Sequence, residues 1–306
     1  MRSLIIHNIG SGYGSNSIYE FERELVSYGD ECVLRSVARN LPVSALLEDA
    51  EEFDIVVVSG GDGTVTNALY ALRNRSIPTC VFPSGTANLL FANLGNAPEP
   101  AAIAAACRNG RRRPLDLGEL RWTDTEGNDH RQGFGLMSGM GFDAQIMQSA
   151  AAAKSTLGEA AYFTAILSNL NPVIADFAIT VDGVTHHRSG ISCIVANTAM
   201  IQGDINVLPD CRMDDGMIDV MVLATKDAVQ LIIPMLAGII DPVGQVFGRP
   251  LIEHFSGREV RVESSVPLPI ERDGDTFDVP VMAYEASCLP SSNMLVVDSH
   301  SPYYNL

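Results

Sequence analysis

The chain has 306 residues, 46% of them hydrophobic, a single Trp and a formal net charge of −17. That length allows about one to three domains and enough apolar material for two cores. The charge argues against a nucleic-acid binder that works through a broad basic surface, and against strong attraction to anionic lipid headgroups. Arg108 to Arg113 is the obvious local basic patch.

Six cysteines, at positions 32, 80, 107, 193, 211 and 288, form no CxxC pair and no zinc-type spacing, so scattered reduced thiols in a cytoplasmic protein are expected. Met1-Arg2 leads directly into the strand-like Leu4 to Ile6, without a signal-peptide pattern. The longest apolar region, Val229 to Ile240, is interrupted by Gln230, Pro234 and Gly238 and is too short to span a bilayer, which takes ~20 residues. Any membrane contact is expected to be peripheral and transient.

Residues 3 to 118 alternate strand and helix patterns, the signature of an α/β layer with a parallel, Rossmann-like sheet. Strands are expected at Leu4 to Ile6, Cys32 to Leu34, Ile55 to Val58 and Thr79 to Phe82. Helices are expected at Ile18 to Tyr28, Ser44 to Glu51, Thr64 to Arg73, up to Leu94 before Gly95, and Pro98 to Asn109 before Gly110. The continuous β-branched run at Ile55 to Val58 suits a strand covered on both faces. It enters the turn Ser59-Gly60-Gly61-Asp62-Gly63-Thr64, whose glycines free the backbone to approach a ligand, and then a helix whose positive end points back at the turn. Phosphate is the natural guest of such a strand–turn–helix.

Two further loops follow strands: Asn8-Ile9-Gly10-Ser11-Gly12-Tyr13-Gly14 and Pro83-Ser84-Gly85-Thr86. The first breaks the dinucleotide fingerprint G-x-G-x-x-G, because Ser15 stands at its third glycine. Alone it is an ordinary βα loop. Three such loops at strand ends of one sheet line the crevice where α/β proteins bind ligands.

From about Glu119 the pattern becomes short strands and hairpins. Leu120 to Thr123 and Gln132 to Ser138 flank a turn, and Phe177 to Val181 and Val184 to His187 flank Asp182-Gly183, a strong hairpin signal. Further strands are expected at Ser192 to Ala196, Ile218 to Leu223, Glu259 to Glu263 and Leu268 to Arg272, with helices confined to about Asp143 to Leu167 and Lys226 to Ile240. This is a β-rich second domain, sandwich or barrel. The expected division is an α/β domain over 1–118, a β-sandwich over 119–292, and residues 293–306 returning to the first.

The order of motifs resembles the catalytic domain of the diacylglycerol kinase and sphingosine kinase superfamily, in particular its small bacterial lipid kinases. Gly60-Gly61-Asp62-Gly63-Thr64 is similar to the family's nucleotide loop, Pro83-Ser84-Gly85-Thr86-Ala87-Asn88 to its second loop, and Asn8 with Ser11-Gly12 to its first, where the family usually has proline in place of Ile9. Asp116-Leu117-Gly118, Gly139 to Ala144, Asn197, Pro209, Asp214 to Val220 and Asp273-Gly274-Asp275 follow in the family's order.

The resemblance implies a two-domain kinase that uses ATP and Mg²⁺ to phosphorylate a lipid hydroxyl, diacylglycerol or a related lipid, at a cleft between its domains. It implies nucleotide contacts from Asn8, Ser11, Gly12, Gly60, Gly61, Asp62, Gly63, Thr64, Gly85, Thr86 and Asn88. Asp273 would orient or deprotonate the acceptor hydroxyl, Asp62 would lie near phosphates and metal, and Asp275 would support a metal or water. A structural Mg²⁺ near Asp214 or Asp215 is also implied. The same residues carry simpler readings: Asp273-Gly274 makes a good hairpin turn, Asp214-Asp215-Gly216 another, and Asp62 a cap for the helix it precedes. His186-His187 reads as hairpin surface and Arg111 to Arg113 as a solvated turn.

Three departures bear on catalysis. Thr66-Asn67 follows the glycine loop where the family commonly has Asn-Glu, Ala92 stands where it often has arginine, and Asp275 replaces a glutamate. The expected partners are a lipid at a membrane surface and no nucleic acid, with a homodimer left open. NAD kinase, which shares the glycine loop, and a nucleotide-binding regulator without catalysis are the competing functions. Lipid specificity would lie on apolar residues such as Phe142, Ile146, Tyr162, Phe163 and Ile166, which helical spacing equally suits to a core.

Overall fold

In a computed structural model the described residues are 1–11, 16–38, 41–124, 126–148, 172–201, 205–227, 230, 237, 240–241, 244–277 and 279–305. Gly12, Tyr162, Phe163 and Ile166, and most of the two helices expected after Asp143 and Lys226, lie outside them; residues 142–148 are helical.

The elements run β1 (Arg2–His7), α1 (Ser17–Ser27), β2 (Glu31–Ser36), β3 (Ile55–Gly60), α2 (Asp62–Leu72), β4 (Pro78–Pro83), α3 (Leu89–Leu94), α4 (Pro100–Asn109) and β5 (Arg111–Thr123). There follow β6 (Asp129–Phe134), β7 (Met137–Gly141), β8 (Ala175–Val181), β9 (Val184–Gly190), β10 (Ser192–Ala196), β11 (Met200–Ile201), β12 (Ile205–Asn206) and β13 (Ile218–Leu223). The last are β14 (Ile252–Gly257), β15 (Glu259–Leu268), β16 (Ile270–Arg272), β17 (Asp275–Thr276) and β18 (Val281–Val297). Contacts divide the chain into two units, Met1–Leu117 with Pro290–Leu306, and Gly118–Leu289.

In the first unit the strand order is β2-β1-β3-β4, all parallel, and Met294 and Leu295 of β18 add in parallel beside Pro78 and Thr79. β3 is buried along its whole length, as its unbroken Ile-Val-Val-Val run requires of a strand covered on both faces. Ile18, Phe21 and Leu25 form the buried stripe of α1, with Phe21 against the Phe82 ring of β4. Val65, Ala68, Leu69 and Leu72 do the same for α2.

Two expectations fail in this unit. The helix predicted over Ser44 to Glu51 is two short 3₁₀ turns, Val43–Leu47 and Ala50–Glu52. The Leu46 and Leu47 carbonyls accept from the Arg35 and Arg75 guanidiniums, and Asp49, between the two turns, is salt-bridged to Arg35. Arginines thereby hold carbonyls that a continuous helix would bond internally. Arg111 to Arg113, read as a solvated turn, begin β5 instead, where Arg111 and Arg113 both donate to the Tyr304 carbonyl.

The second unit is two antiparallel sheets packed face to face. One runs β14-β13-β10-β7-β16-β17; the other sets the first half of β18 beside β15, β8 and β9, with β5 pairing β18 and β6. Their shared core includes Leu120, Phe134, Met140, Phe177, Val195, Val220, Val262 and Tyr284. Asp182-Gly183 closes the β8–β9 hairpin with φ of 46° and 86°, the left-handed pair a type I′ turn demands. Two predicted strands are interrupted. Gln132 to Ser138 breaks at Gly135-Leu136, and Leu268 to Arg272 breaks at Pro269, so that Leu268 ends β15 in one sheet and Ile270 begins β16 in the other. Phe142 and Ile146 are buried. Among the described residues no helix is long and apolar enough to cross a membrane.

A Cβ on Gly118 would strike the ring of the fully buried Phe134. Gly118→Ala is therefore expected to destabilise the protein by roughly 1–3 kcal/mol, as overpacking does. In urea this reads as a lower midpoint with an unchanged m-value.

Candidate active site

The sheet of the first unit delivers three loops to the carboxyl ends of adjacent strands: residues 8–11 after β1, 60–64 after β3 and 83–88 after β4. Side chains from the first loop brace the second. The Gly61 N–H donates to Ser11 Oγ at 3.2 Å, and Asn8 Nδ2 donates to Thr64 Oγ1 at 2.7 Å. The Asn8 N–H meets the Ser59 carbonyl at 2.8 Å, and its Oδ1 accepts from Gly10 N–H at 3.0 Å. Asn8 is thus spent on both loops.

The third loop closes on itself through Asn88. Gly85 N–H donates to Asn88 Oδ1 at 2.7 Å and Asn88 Nδ2 returns to the Gly85 carbonyl at 3.0 Å. Asn88 adopts φ 49°, a left-handed conformation Asn tolerates better than most residues. The two glycine loops touch backbone to backbone: a Cβ on Gly85 would overlap Gly61 Cα, and one on Gly60 would lie 2.6 Å from Thr64 Cβ. Glycine is required here by close approach.

Asp62 is the first residue of α2, directly after the N-cap Gly61. Its Oδ1 accepts from Leu90 N–H at 2.8 Å, so the carboxylate caps α3 on the far side of the third loop. Asn88, at the capping position of α3, turns its side chain back to Gly85 and leaves that task to Asp62. The first-turn N–H groups of the 11-residue α2 stand outside the helix's own bonding ladder. That suits an anion.

Beneath the loops runs a tie that no sequence pattern announces. His7 Nδ1 lies 3.0 Å from Ser59 Oγ, which in turn donates to Ser84 Oγ at 3.1 Å. It links the ends of β1, β3 and β4. Burial lowers the His7 pKa, which keeps the ring neutral and able to take part as a single donor.

In the second unit, Asp273 and Gly274 form the β16–β17 turn with φ of 50° and 88°. Asp273 Oδ2 accepts from Gly135 N–H at 2.8 Å, and Oδ1 from Leu136 and Met137 N–H at 2.8 and 3.1 Å. These bonds explain the break between β6 and β7, whose N–H groups turn to the carboxylate. Asp275 is two residues on; its side chain is 71% exposed and lies 3.4 Å from Arg272. Asp214 is held by the Arg212 guanidinium at 2.8 and 3.0 Å, and Asp215 accepts from Met217 N–H at 2.9 Å in its own turn. Burial, then the nearby Asp219 and Asp214 charges, raise the Asp215 pKa. Among the described residues no three His, Cys, Asp or Glu side chains converge as a cation site. Sequence reasoning passed over Glu271, a buried carboxyl whose sequence signal is an acidic residue directly after the apolar Leu268 to Ile270.

Residues 2–120 match the diacylglycerol kinase catalytic domain, and residues 137–297, more than half of the chain, match the YegS C-terminal NAD kinase beta sandwich-like domain. A diacylglycerol kinase of Bacillus subtilis is 28% identical over 232 residues, 73% of this chain and 72% of its own length. One from Mycobacterium tuberculosis is 28% identical over 64% of this chain, but the match spans only 62% of that protein. A solved structure of a diacylglycerol kinase from Bacillus anthracis superposes with a TM-score of 0.72 over 97% of both chains at 18% identity. That likeness establishes the shared fold.

Asp62→Ala is expected to cost about 0.5–2 kcal/mol, the loss of a helix cap, while Asp62→Asn retains most of the stability. Urea denaturation of the two variants beside the parent checks this.

Proposed function

The chain belongs to the diacylglycerol kinase and YegS-like lipid kinase family, and from that premise we propose that it transfers the γ-phosphoryl group of ATP to a lipid hydroxyl. The observation that carries the reading is the contact of the two glycine loops at the start of α2, with Ser11 and Asn8 bracing the loop of residues 60–64. Phosphoryl transfer asks chiefly for positioning and charge neutralisation, and backbone N–H groups beside a helix start provide both.

Gly60, Gly61, Gly63 and Thr64 present the backbone to the nucleotide phosphates, and Gly85, Thr86 and Asn88 form the opposing wall. Asp62 is the carboxylate placed to hold Mg²⁺, an ion that keeps several waters and needs only one or two carboxylates beside the phosphates. When bound, the cation neutralises charge on the transferred group. Asp214 and Asp215 fit a second ion less well, since Asp214 already balances Arg212 and Asp215 serves its own turn. Asp273 is the carboxylate that orients the acceptor hydroxyl. Three backbone N–H bonds fix its position, and charge-assisted bonds of this kind are the strong ones. Asp275, exposed on the same turn, is the supporting carboxylate.

The test is incubation of the purified protein with Mg²⁺ and phosphate-labelled ATP against vesicles carrying diacylglycerol, phosphatidylglycerol, sphingoid bases or ceramide, with mass-spectrometric detection of product. A phosphorylated lipid is expected; label found in none of them, or in NAD supplied as a control, overturns the reading. Asp273→Asn is expected to lower kcat on the order of 10²–10⁴-fold, the range of a lost acid–base or orienting group, with ATP affinity retained. A full-rate Asp273→Asn variant would remove Asp273 from the reaction.

A further inference from the structure

Beneath the Asp273-Gly274 turn lie two carboxyl groups that the proposed reaction does not use. Glu271 on β16 stands opposite Gly139 on β7. Its Oε1 accepts from Gly139 N–H at 2.7 Å and its Oε2 from Gly274 N–H at 2.8 Å. Asp143, in the helical turn after β7, comes to the same place from the other side. A Cβ on Gly139 would collide with Asp143 Oδ2, so this glycine makes the room in which the two acids meet. Both are buried, Glu271 at 1% and Asp143 at 5% exposure, and both reach Gly139, Glu271 at its N–H and Asp143 Oδ2 at the place a Cβ would take.

Ionised carboxylates are acceptors only. Asp143 Oδ2 is fully buried and has no donor among the described residues, and the group it faces is another acceptor. The charges around the pair do not favour two anions. Asp273 is a further negative group on the adjoining turn, and Tyr284 from β18 and Cys193 from β10 are neutral neighbours. Arg272, next along β16, directs its guanidinium to the Gly133 carbonyl at 3.2 Å and to Asp275. Two like charges in a desolvated site cannot both ionise near neutral pH.

We propose that Asp143 and Glu271 share one proton and that this pair is the positioning device for the Asp273-Gly274 turn. With the proton in place, the Glu271 carboxyl keeps both of its N–H partners, fixing β7 through Gly139 and the turn through Gly274. Asp273 clasps residues 135–137 from the same turn, so the two acids secure it from both sides. Without the proton, mutual repulsion separates the pair and pulls on Gly274. The proton itself is independent of the proposed reaction; only its consequence for Asp273 rests on that reading.

Burial first, then for Glu271 the charge of its partner, raises both acids. The folded chain therefore holds a proton that the unfolded chain releases. The stability it contributes is full below the ordinary carboxylate range and is lost as pH rises. One such proton changes the folding equilibrium about tenfold per pH unit. Asp143→Asn replaces the shared proton by a permanent amide donor and leaves both Glu271 oxygens free to accept.

The experiment is infrared spectroscopy of the whole protein at neutral pH, with chemical denaturation between about pH 5 and about pH 8. The parent should show the carbonyl stretch of a protonated carboxylic acid, absent from Asp143→Asn and from Glu271→Gln. The folding constant of Asp143→Asn, relative to the parent, should rise about tenfold per pH unit. A parent without the acid band overturns the proposal even where neither variant folds, as does a band unchanged in Asp143→Asn. In the lipid assay, Asp143→Asn should flatten the alkaline fall of kcat while KM for ATP stays put. If the parent phosphorylates no lipid, the functional reading fails, and the band still decides the proton.

Discussion

Two bare backbones in contact are the constraint on which the candidate nucleotide site rests. Gly61 follows β3 and Gly85 follows β4, and a Cβ on Gly85 would overlap the Gly61 Cα. Every other tie in the site serves that approach. Ser11 takes the Gly61 N–H, Asn88 folds the third loop back on Gly85, and Asp62 reaches across to cap α3. The parallel sheet makes this possible because β1, β3 and β4 are neighbours and end on the same side, where their loops are forced together.

Carboxylates in this chain are used repeatedly as clasps for backbone N–H groups. Asp273 holds residues 135–137, Asp182 takes Arg258 and Glu259 N–H, Asp241 takes Val246 and Phe247 N–H, and Asp116 takes Ser291 N–H. Part of the net charge of −17 is thus structural. It also follows that an aspartate in a family motif need not be devoted to chemistry alone. Asp62 and Asp273 both occupy motif positions and both fasten the backbone of a distant segment.

Local patterns were enough to read the α/β-then-β architecture. The β-branched run of β3, the Asp182-Gly183 turn and the helical stripes of α1 and α2 each carry their own geometry. What stayed hidden depends on partners far away in the chain. The 3₁₀ turns after Pro42 arise because Arg35 and Arg75 claim carbonyls there, and the break at Gly135-Leu136 arises from Asp273, 138 residues on from Gly135. The His7–Ser59–Ser84 tie and the Asp143–Glu271 pair were equally unreadable, since each joins residues from separate strands or loops that only the fold assembles. Motif order located the site loops, but it could not say that Asp62 caps α3.

The most direct test of the phosphate cradle is calorimetric titration of ATP with Mg²⁺ into the parent and into Gly85→Ala, with thermal unfolding of both as a control. The added methyl must part the two loops, so ATP affinity should fall at least about tenfold, or ~1.4 kcal/mol, in protein that remains folded. Equal affinity in a folded Gly85→Ala variant would mean that the nucleotide does not bind where the two glycine loops meet, and would contradict the account.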